Sequence, residues 1–321
     1  MRRLKISDNI LLKLDHPAKI IDLALDWELI SSHLNKKWEE IPDLSEFTQL
    51  KKLSLAGHEI KEILDLQPSL THLDLSYNLL RQSKGLAAQA SLKELDLSFN
   101  EVEEVEELAD CTKLRQLNLA HNFLKDLSPL HSLKNLQILA ISGNRRIKDL
   151  SFVEGMKNLT LFYAKQLNLM EWGPVNKLSS LEALYISLFS FESLASFDML
   201  PKLETLHLSV NKVGEEGSMP YFPHLKELSI VKGKHLRRLR GIEQLKGLMQ
   251  LNLAQNQLEA VPDLNGLYQL ESVDLRQNPL TSADSLFELP KLKKLDIRDT
   301  ALEGSVIQSL IKHFEGAEVL Y

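Results

Sequence analysis

The 321-residue chain has little of what secreted, membrane-spanning or disulfide-bonded proteins carry. Cys111 is its only cysteine, so no intrachain disulfide forms, and the sequence fits a reducing compartment or a bacterium that uses few cysteines. No stretch approaches the roughly 18 consecutive apolar residues that cross a membrane. Asp and Lys interrupt each apolar run of the first 19 residues before a signal-peptide core forms. We therefore expect a soluble cytoplasmic protein that does not contact membranes.

The sequence also lacks the charge of a nucleic-acid-binding protein and the motifs of an enzyme. Its 38 basic and 44 acidic residues give a net charge of −6, which argues against neutralisation of phosphates. It has no glycine-rich phosphate loop, G-x-S-x-G elbow, H-E-x-x-H helix or kinase signature, and its ten histidines are scattered singly. We expect no catalytic residues, no cofactor, no metal and no bound nucleic acid.

What the sequence does contain is one pattern repeated along almost its whole length. The stretch Leu92–Asn100 reads LKELDLSFN, with leucines at the first, fourth and sixth places and an asparagine at the ninth. Copies of it recur at steps of 20 to 23 residues, which chance usage of leucine would not hold in phase over twelve units. The copies begin at Leu50, Leu70, Leu92, Leu114, Leu136, Leu159, Leu181, Leu203, Leu225, Leu248, Leu270 and Leu292.

Each copy combines a strand with a tight turn. Apolar residues alternate in the first half of the copy, which is the period of a β-strand. In the second half they recur every third residue, as at Leu124, Leu127, Leu130 and Leu133, and this spacing predicts a 3₁₀ or irregular helical turn. The pattern therefore predicts strands along one side of an array and turns along the other.

The pattern L-x-x-L-x-L-x-x-N-x-L is that of leucine-rich repeats. Units such as Leu124–Asn144 resemble the 22-residue repeats of bacterial internalins and of the leucine-rich regulatory subunit of type-1 protein phosphatase. The resemblance implies an α/β-type repeat solenoid, a right-handed arc with a parallel concave β-sheet, short 3₁₀ or irregular turns on the convex side, and a cap at both ends. For the final segment, it implies a helical cap like that of the phosphatase subunit.

The pattern also divides the chain. Residues 1–49 are predicted to be an N-terminal cap with a degenerate first repeat, whose strand holds Ile20, Leu23 and Leu25. Residues 50–302 hold the twelve repeats. Residues 303–321 are predicted to be a C-terminal helical cap, in which Val306, Leu310 and Phe314 share one helix face.

The repeat register assigns several conspicuous residues to the core. Cys111 falls where neighbouring copies have leucine, so we expect a buried apolar residue and not a nucleophile. Trp172 and Phe197 also fall on core places. The bend asparagine, which is expected to satisfy backbone groups of the turn, is replaced by Leu167 and Phe189 in two copies. These replacements indicate either a local distortion that serves binding or simple filling of the core.

Binding is expected on the concave face, where strand alternation directs the third, fifth and seventh residues of each copy outward. An acidic zone, an apolar and aromatic zone and a mixed zone follow one another along this face. The predicted partner-binding residues are Asp74, Glu94, Asp96, Ile138, Leu161, Tyr163, Tyr185, His207, Asp274, Arg276, Asp296 and Arg298. Tyr163 and Tyr185 occupy one place in successive copies, so their rings should lie about 4.8 Å apart. The alternative is that these side chains only pack on lateral neighbours.

A basic run, Val231–Gly241, follows the bend of one copy, as Arg145 and Arg146 do in another. It is either a solvated edge or a rim that steers an acidic partner. The sequence as a whole favours a non-enzymatic, monomeric protein-binding scaffold, adaptor or inhibitor that captures another protein. The alternatives are a regulatory subunit of a phosphatase-like enzyme and a secreted effector exported without a cleavable signal.

Overall fold

The chain folds into two compact units that are each built on short parallel strands. The computed structural model describes residues 2–6, 10–14, 16–31, 36–64, 66, 69–169, 172–188, 200–210 and 214–321. The first unit comprises Met1–Leu159 with Gln166–Asn168, and the second comprises Thr160–Lys165 with Leu169–Tyr321. Phe189, Phe197 and Asn211, the last of which is the bend asparagine of the copy that begins at Leu203, lie outside the described residues.

In the first unit, each successive copy contributes one three-residue strand to a parallel sheet. The strands, in chain order, are β1 (Arg2–Ile6), β2 (Ile10–Leu14), β3 (Asp22–Ala24), β4 (Lys52–Ser54), β5 (His72–Asp74), β6 (Glu94–Asp96), β7 (Gln116–Asn118) and β8 (Ile138–Ala140). Strands β3 to β8 lie side by side in sequence order, and equivalent places pair without offset, as Leu73 does with Leu95. β1 and β2 form a separate antiparallel hairpin.

The second unit repeats this arrangement and adds a separate two-stranded sheet. Its strands are β9 (Leu161–Ala164), β10 (Ala183–Leu188), β11 (Thr205–Val210), β12 (Glu216–Ser218), β13 (Glu227–Val231), β14 (Arg238–Arg240), β15 (Gln250–Asn252), β16 (Ser272–Asp274), β17 (Lys294–Asp296) and β18 (Glu318–Leu320). All but β12 and β14 form one parallel sheet in sequence order. β12 and β14 pair with each other in a second parallel sheet.

Opposite the strands, the copies make the 3₁₀ turns that the spacing of three predicts. These turns are Glu106–Asp110, Ser128–Ser132, Ser151–Gly155, Gly173–Lys177, Ile242–Gln244 and Asp284–Glu288, and one more, Pro17–Lys19, precedes β3. The core lies between the strands and the turns, and Leu117 of β7 and Leu130 of a turn are among its fully enclosed side chains. The leucine-rich repeat solenoid predicted from the sequence is thereby confirmed in each unit.

The bend asparagines are buried and bridge neighbouring copies. The amide nitrogen of Asn100 donates to the carbonyl oxygens of Leu75 at 2.9 Å and Leu97 at 3.1 Å. Its amide oxygen accepts the Leu80 N–H at 3.0 Å. The turn therefore leaves these backbone groups paired, as the sequence predicts. The same pattern recurs at Asn78, Asn122, Asn144, Asn256 and Asn278.

The end segments also follow the predicted register, with one addition. β3 lies at the predicted first strand, and a short helix, α1 (Trp27–Ile30), follows it. Helix α2 (Gly304–His313) buries Leu310, and Phe314 is buried just after it. The chain then adds β18, which pairs parallel to β17 and which the sequence reading did not predict. The residues that form it, Glu318–Leu320, lie outside the leucine pattern.

Candidate functional site

One side of each parallel sheet, here called the sheet face, carries the third and fifth residues of every copy. In the second unit, Tyr163, Tyr185 and His207 occupy the fifth place on β9, β10 and β11 and pair directly in the strand register. Their rings form a continuous tyrosine stack (Tyr163, Tyr185 and His207), with successive centroids 4.5 Å apart. The predicted spacing of the two tyrosines is therefore met, and the imidazole extends the stack by one ring.

The tyrosine stack is half-buried, and its surroundings disfavour the charged forms of Tyr185 and His207. Burial raises the pKa of Tyr185, and the charges of Tyr163 and Glu227 add to this shift. Burial lowers the pKa of His207, and the nearby Lys165 ammonium lowers it further. The Lys165 nitrogen lies 5.2 Å from the centroid of the Tyr185 ring, which is a cation–π distance. The stack thus presents aromatic surface with a cation beside it.

The other apolar residues predicted for this zone are divided between the two units. Leu161 of β9 lies in the second unit, next to Ala183 in the strand register, and is half-buried. Ile138 of β8 lies in the first unit, next to Gln116, and is half-buried as well. Leu161 therefore extends the apolar surface of the tyrosine stack along its own strand.

The acidic zone lies in the first unit, where Asp74 and Asp96 are direct neighbours on β5 and β6. Each carboxylate accepts a hydrogen bond from the backbone N–H two residues later. The Ser76 N–H donates to Asp74 at 2.9 Å, and the Ser98 N–H donates to Asp96 at 2.8 Å. Burial, together with the charge of Asp96, raises the pKa of Asp74. The third member, Glu94, lies 3.4 Å from the His72 imidazole.

The mixed zone lies in the second unit and consists of two internal ion pairs. Arg276 contacts Asp274 at 3.4 Å, and Arg298 contacts Asp296 at 2.5 Å. The bond from Arg298 lowers the pKa of Asp296, whereas burial raises that of Asp274. All four line a groove of about 370 Å³ that begins at His207. Each arginine neutralises the aspartate two residues earlier, so this zone has less free charge than its sequence indicates.

The seventh place of the copies, which was also expected on the sheet face, is accessible in some copies and covered in others. Ser76, Ser98 and Ala254 were expected to point outward, but each is buried, with 7%, 4% and 2% of its surface exposed. Other small residues at this place, Ala56, Ala120 and Ser142, are half-exposed. Arg276 and Arg298 occupy the same place but are long enough to reach solvent.

The charged residues of the basic run Val231–Gly241 are exposed, and its three arginines form ion pairs. Arg238 and Arg240 of β14 contact Glu216 of β12 at 3.3 and 3.5 Å, and Arg237 contacts Glu259 at 3.2 Å. Such exposed pairs contribute little to stability, but they cancel much of the local positive charge. The geometry favours the solvated edge over the steering rim. The second sheet, β12 with β14, positions these pairs and was not predicted.

A second set of stacked rings escaped the sequence reading. Tyr77, Phe99 and His121 occupy the eighth place of three successive copies in the first unit and form an aromatic ladder. Both pairs of neighbouring ring centroids are 4.3 Å apart, with the planes within 14° of parallel. Their spacing of 22 residues indicates equal places in successive copies, but strand alternation does not identify the eighth place as a surface position.

Three further features of the described residues concern metal ligands, the Cys111 thiol and the character of the helices. Within the described ranges, no cluster of three or more His, Cys, Asp or Glu side chains has the geometry to hold a metal ion. Cys111 is fully buried, and burial raises the pKa of its thiol to about 11. In the same part of the chain, no helix combines the length and the apolar character needed to cross a membrane.

Comparisons with known proteins agree with the geometry. A family model described as leucine-rich repeats in two copies matches residues 90–130 and 112–155. A search of curated protein sequences gave no match. Among solved structures, an internalin of Listeria monocytogenes is similar over 97% of this chain and 89% of its own, with a TM-score of 0.77 and 22% identity. A leucine-rich repeat protein of Leptospira interrogans is similar over 95% and 96%, with a TM-score of 0.57 and 20% identity.

A third similar structure contains bound partners. The Arabidopsis receptor kinase HAESA, solved in complex with a peptide hormone and a co-receptor, is similar over 90% of this chain and 60% of its own, with a TM-score of 0.56 and 20% identity. At these identities the similarity concerns the fold. Together with the repeat register and the bend asparagines, the comparisons identify the chain as a leucine-rich repeat protein whose repeats resemble those of bacterial internalins.

Proposed function

We propose that this protein is a non-enzymatic scaffold, adaptor or inhibitor that captures a partner protein on its sheet face, with the tyrosine stack at the centre of contact. The observation that carries the proposal is the continuous stack of Tyr163, Tyr185 and His207 on half-exposed strands. A leucine-rich repeat fold serves as a protein-binding scaffold, and no catalytic family matches the chain.

The fold itself has no need of aromatic side chains at the fifth place. Other copies have short or polar residues there, among them Asp74, Asn118, Ala140 and Ser229, and their strands pair in the same register. Stacking stabilises the rings against one another by about 0.5–1.5 kcal/mol per pair beyond their burial. Since this gain does not require three rings at half-exposed positions, we assign the rings to partner binding.

The chemistry of the stack fits a protein partner. Half-buried tyrosines supply large rigid contact areas, and their hydroxyls still reach polar groups, which is why tyrosine is frequent among residues that dominate binding energies. Leu161 adds apolar area on the same strand as Tyr163, and Lys165 adds a positive charge near Tyr185. A partner surface with apolar side chains and an acidic group complements this arrangement.

The similar structures support binding of a protein or peptide as the class of function, because HAESA was solved with a peptide hormone. They do not point to a phosphatase partner or to export of the chain. The proposal is therefore limited to a protein-binding scaffold. We further propose that the chain acts as a monomer in the cytoplasm, where a protein with the single cysteine Cys111 has no disulfide to form.

The test is affinity for the partner that the wild-type protein retains from extracts of its own host. Replacement of Tyr163 and Tyr185 by alanine should weaken that affinity at least tenfold, about 1.4 kcal/mol. The matched control replaces Tyr221 and Tyr268, two exposed tyrosines outside the stack, and should bind as the wild type does. Circular dichroism establishes that both double variants fold. An unchanged affinity in the folded Tyr163 and Tyr185 variant would move the binding site away from the stack.

A further inference from the structure

The aromatic ladder of the first unit lies at the surface. Tyr77 and Phe99 have 57% and 41% of their surface exposed, and His121 is exposed as well. Phe99 is covered on both ring faces by its two neighbours, whereas Tyr77 has a ring on one side only. On its other side the neighbouring copy has Gly57, and within the described part of the chain no second ring stacks on Tyr77. The ladder therefore ends in an open aromatic face.

The backbone makes these rings costly. Tyr77, Phe99 and His121 have φ of 56°, 55° and 56°, in the left-handed region that bulky residues rarely adopt. Described residues at the same place in other copies with positive φ are Gly57, Gly143, Gln166, Lys232, Gln255, Gln277 and Asp299. The bend is thus made equally well by glycine or by polar residues. Three successive large rings at this exposed place are not explained by the fold.

The two copies that begin at Leu70 and Leu92, which hold Tyr77 and Phe99, carry most of the net charge of the protein. Between Leu70 and Lys113 there are nine acidic and four basic residues, a net charge of −5, against −6 for the whole chain. Asp74 and Asp96 stand three residues before Tyr77 and Phe99. A cationic partner is therefore complementary to the surface around the ladder.

Asp74 is the carboxylate best placed to receive a cation. The Ser76 N–H donates to one oxygen of Asp74 at 2.9 Å and the Ser76 side chain also bonds this carboxylate, but within the described residues no side chain of a neighbouring copy donates to it. In Asp96, by contrast, Ser98 bonds one oxygen and the amide of Asn118 donates to the other at 2.8 Å. Asp96 also repels Asp74, and this repulsion adds to the burial that raises the pKa of Asp74. A bound cation would offset the repulsion between Asp74 and Asp96.

We propose that Tyr77, the outermost ring of the aromatic ladder, and Asp74 form a docking site for an arginine side chain of a partner protein. A planar guanidinium stacks on an aromatic face and donates two parallel hydrogen bonds to a carboxylate, which the compact ammonium of lysine does not do. The chain already contains a guanidinium that lies near both a ring and a carboxylate, although at ion-pair distance from the carboxylate. The Arg146 guanidinium lies 5.6 Å from the centroid of the Phe123 ring and 3.8 Å from Glu103. This site is independent of the tyrosine stack in the second unit.

The test uses a fluorescein-labelled synthetic peptide, Gly-Ser-Arg-Gly-Arg-Ser-Gly, and counterparts with lysine or leucine in place of arginine. Fluorescence anisotropy measures their binding to the full chain. Two variants preserve the local backbone: Tyr77→Gln places the residue of Gln255 and Gln277 at the bend, and Asp74→Asn places that of Asn118 on the strand. Asn118 accepts the equivalent turn hydrogen bond from the Ala120 N–H at 3.1 Å.

We expect each variant to weaken binding of the arginine peptide at least tenfold. Tyr268→Gln, an exposed tyrosine in the second unit, should leave it unchanged. The wild type should bind the lysine and leucine peptides at least threefold more weakly than the arginine peptide. Equal binding of the arginine and lysine peptides would reduce the site to general charge attraction, and equal binding of the leucine peptide would reassign the surface to an apolar partner. Either result, or unchanged affinity in both folded variants, overturns the proposal.

Discussion

The bend asparagines share carbonyl acceptors between neighbouring copies, so replacing two of them should cost more than the sum of the single replacements. The Leu97 carbonyl oxygen accepts the amide of Asn100 at 3.1 Å and that of Asn122 at 2.9 Å. Within the described residues it has no other donor. Removal of one asparagine leaves this oxygen with one bond, whereas removal of both leaves it with none.

The magnitudes follow from counting which groups lose their last partner. In Asn100→Ala, only the buried Leu80 N–H is left without an acceptor, because the other asparagine-bonded carbonyls keep a second donor. An unsatisfied buried group costs about 1–3 kcal/mol, and the lost hydrogen bonds add about 1 kcal/mol. We expect the single variant to lower the free energy of unfolding by roughly 2–4 kcal/mol. In the double variant with Asn122→Ala, the orphaned Leu97 oxygen adds about 1–3 kcal/mol beyond additivity.

The matched control is the pair Asn78 and Asn122, which lie two copies apart. The amide of Asn78 donates to Leu55, Leu75 and Ser76, and that of Asn122 to Leu97, Leu119 and Ala120, so the two share no acceptor. Their replacements should add to within about 0.5 kcal/mol.

The assay is urea unfolding at 25 °C, monitored by circular dichroism. The slope of the free energy of unfolding against urea concentration should equal that of the wild type, which checks that each variant unfolds in the same way. Additive behaviour of Asn100 and Asn122 would show that the shared carbonyl oxygen contributes no measurable coupling. An equal excess in the control pair would refute the local explanation too, because coupling would then spread through the array of copies.

Three further predictions concern ionisable groups. With a pKa of about 11, about one Cys111 thiol in a thousand is ionised at pH 8, so native protein should not react with a thiol reagent until urea unfolds it; rapid labelling of folded protein would contradict the burial of this side chain. The folded pKa of Asp74 lies above its unfolded value of 3.8, so its ionisation costs stability as pH rises, and Asp74→Asn should raise the melting temperature at pH 7 but not at pH 3. The folded pKa of Asp296 lies below 3.8, so Asp296→Asn should lower the melting temperature at pH 7, with the difference shrinking as pH falls; equal signs for the two variants would refute the assignment.

Much of the fold was predictable because equivalent places in successive copies have the same position in the strand, the bend or the turn. The leucine spacing predicted strands, 3₁₀ turns, the enclosed core and the burial of Cys111 and Trp172, and all are found. The stacking of Tyr163 on Tyr185 followed from the same rule, since equal places in successive copies stand one strand spacing apart. For such features the sequence alone was sufficient, because they depend only on a residue's place within its copy.

What depends on contacts between particular side chains required the tertiary structure. The charges of Asp296 and Arg298 read as a mixed binding zone, but a bidentate contact neutralises them. The second sheet that pairs Arg238 with Glu216 and the final strand β18 belong to segments that depart from the repeat. The open face of Tyr77 depends on the glycine in the adjoining copy. A repeat determines where each residue stands, whereas its charge partner, its exposure and the ring beside it depend on residues about 22 positions away, which only the folded chain brings together.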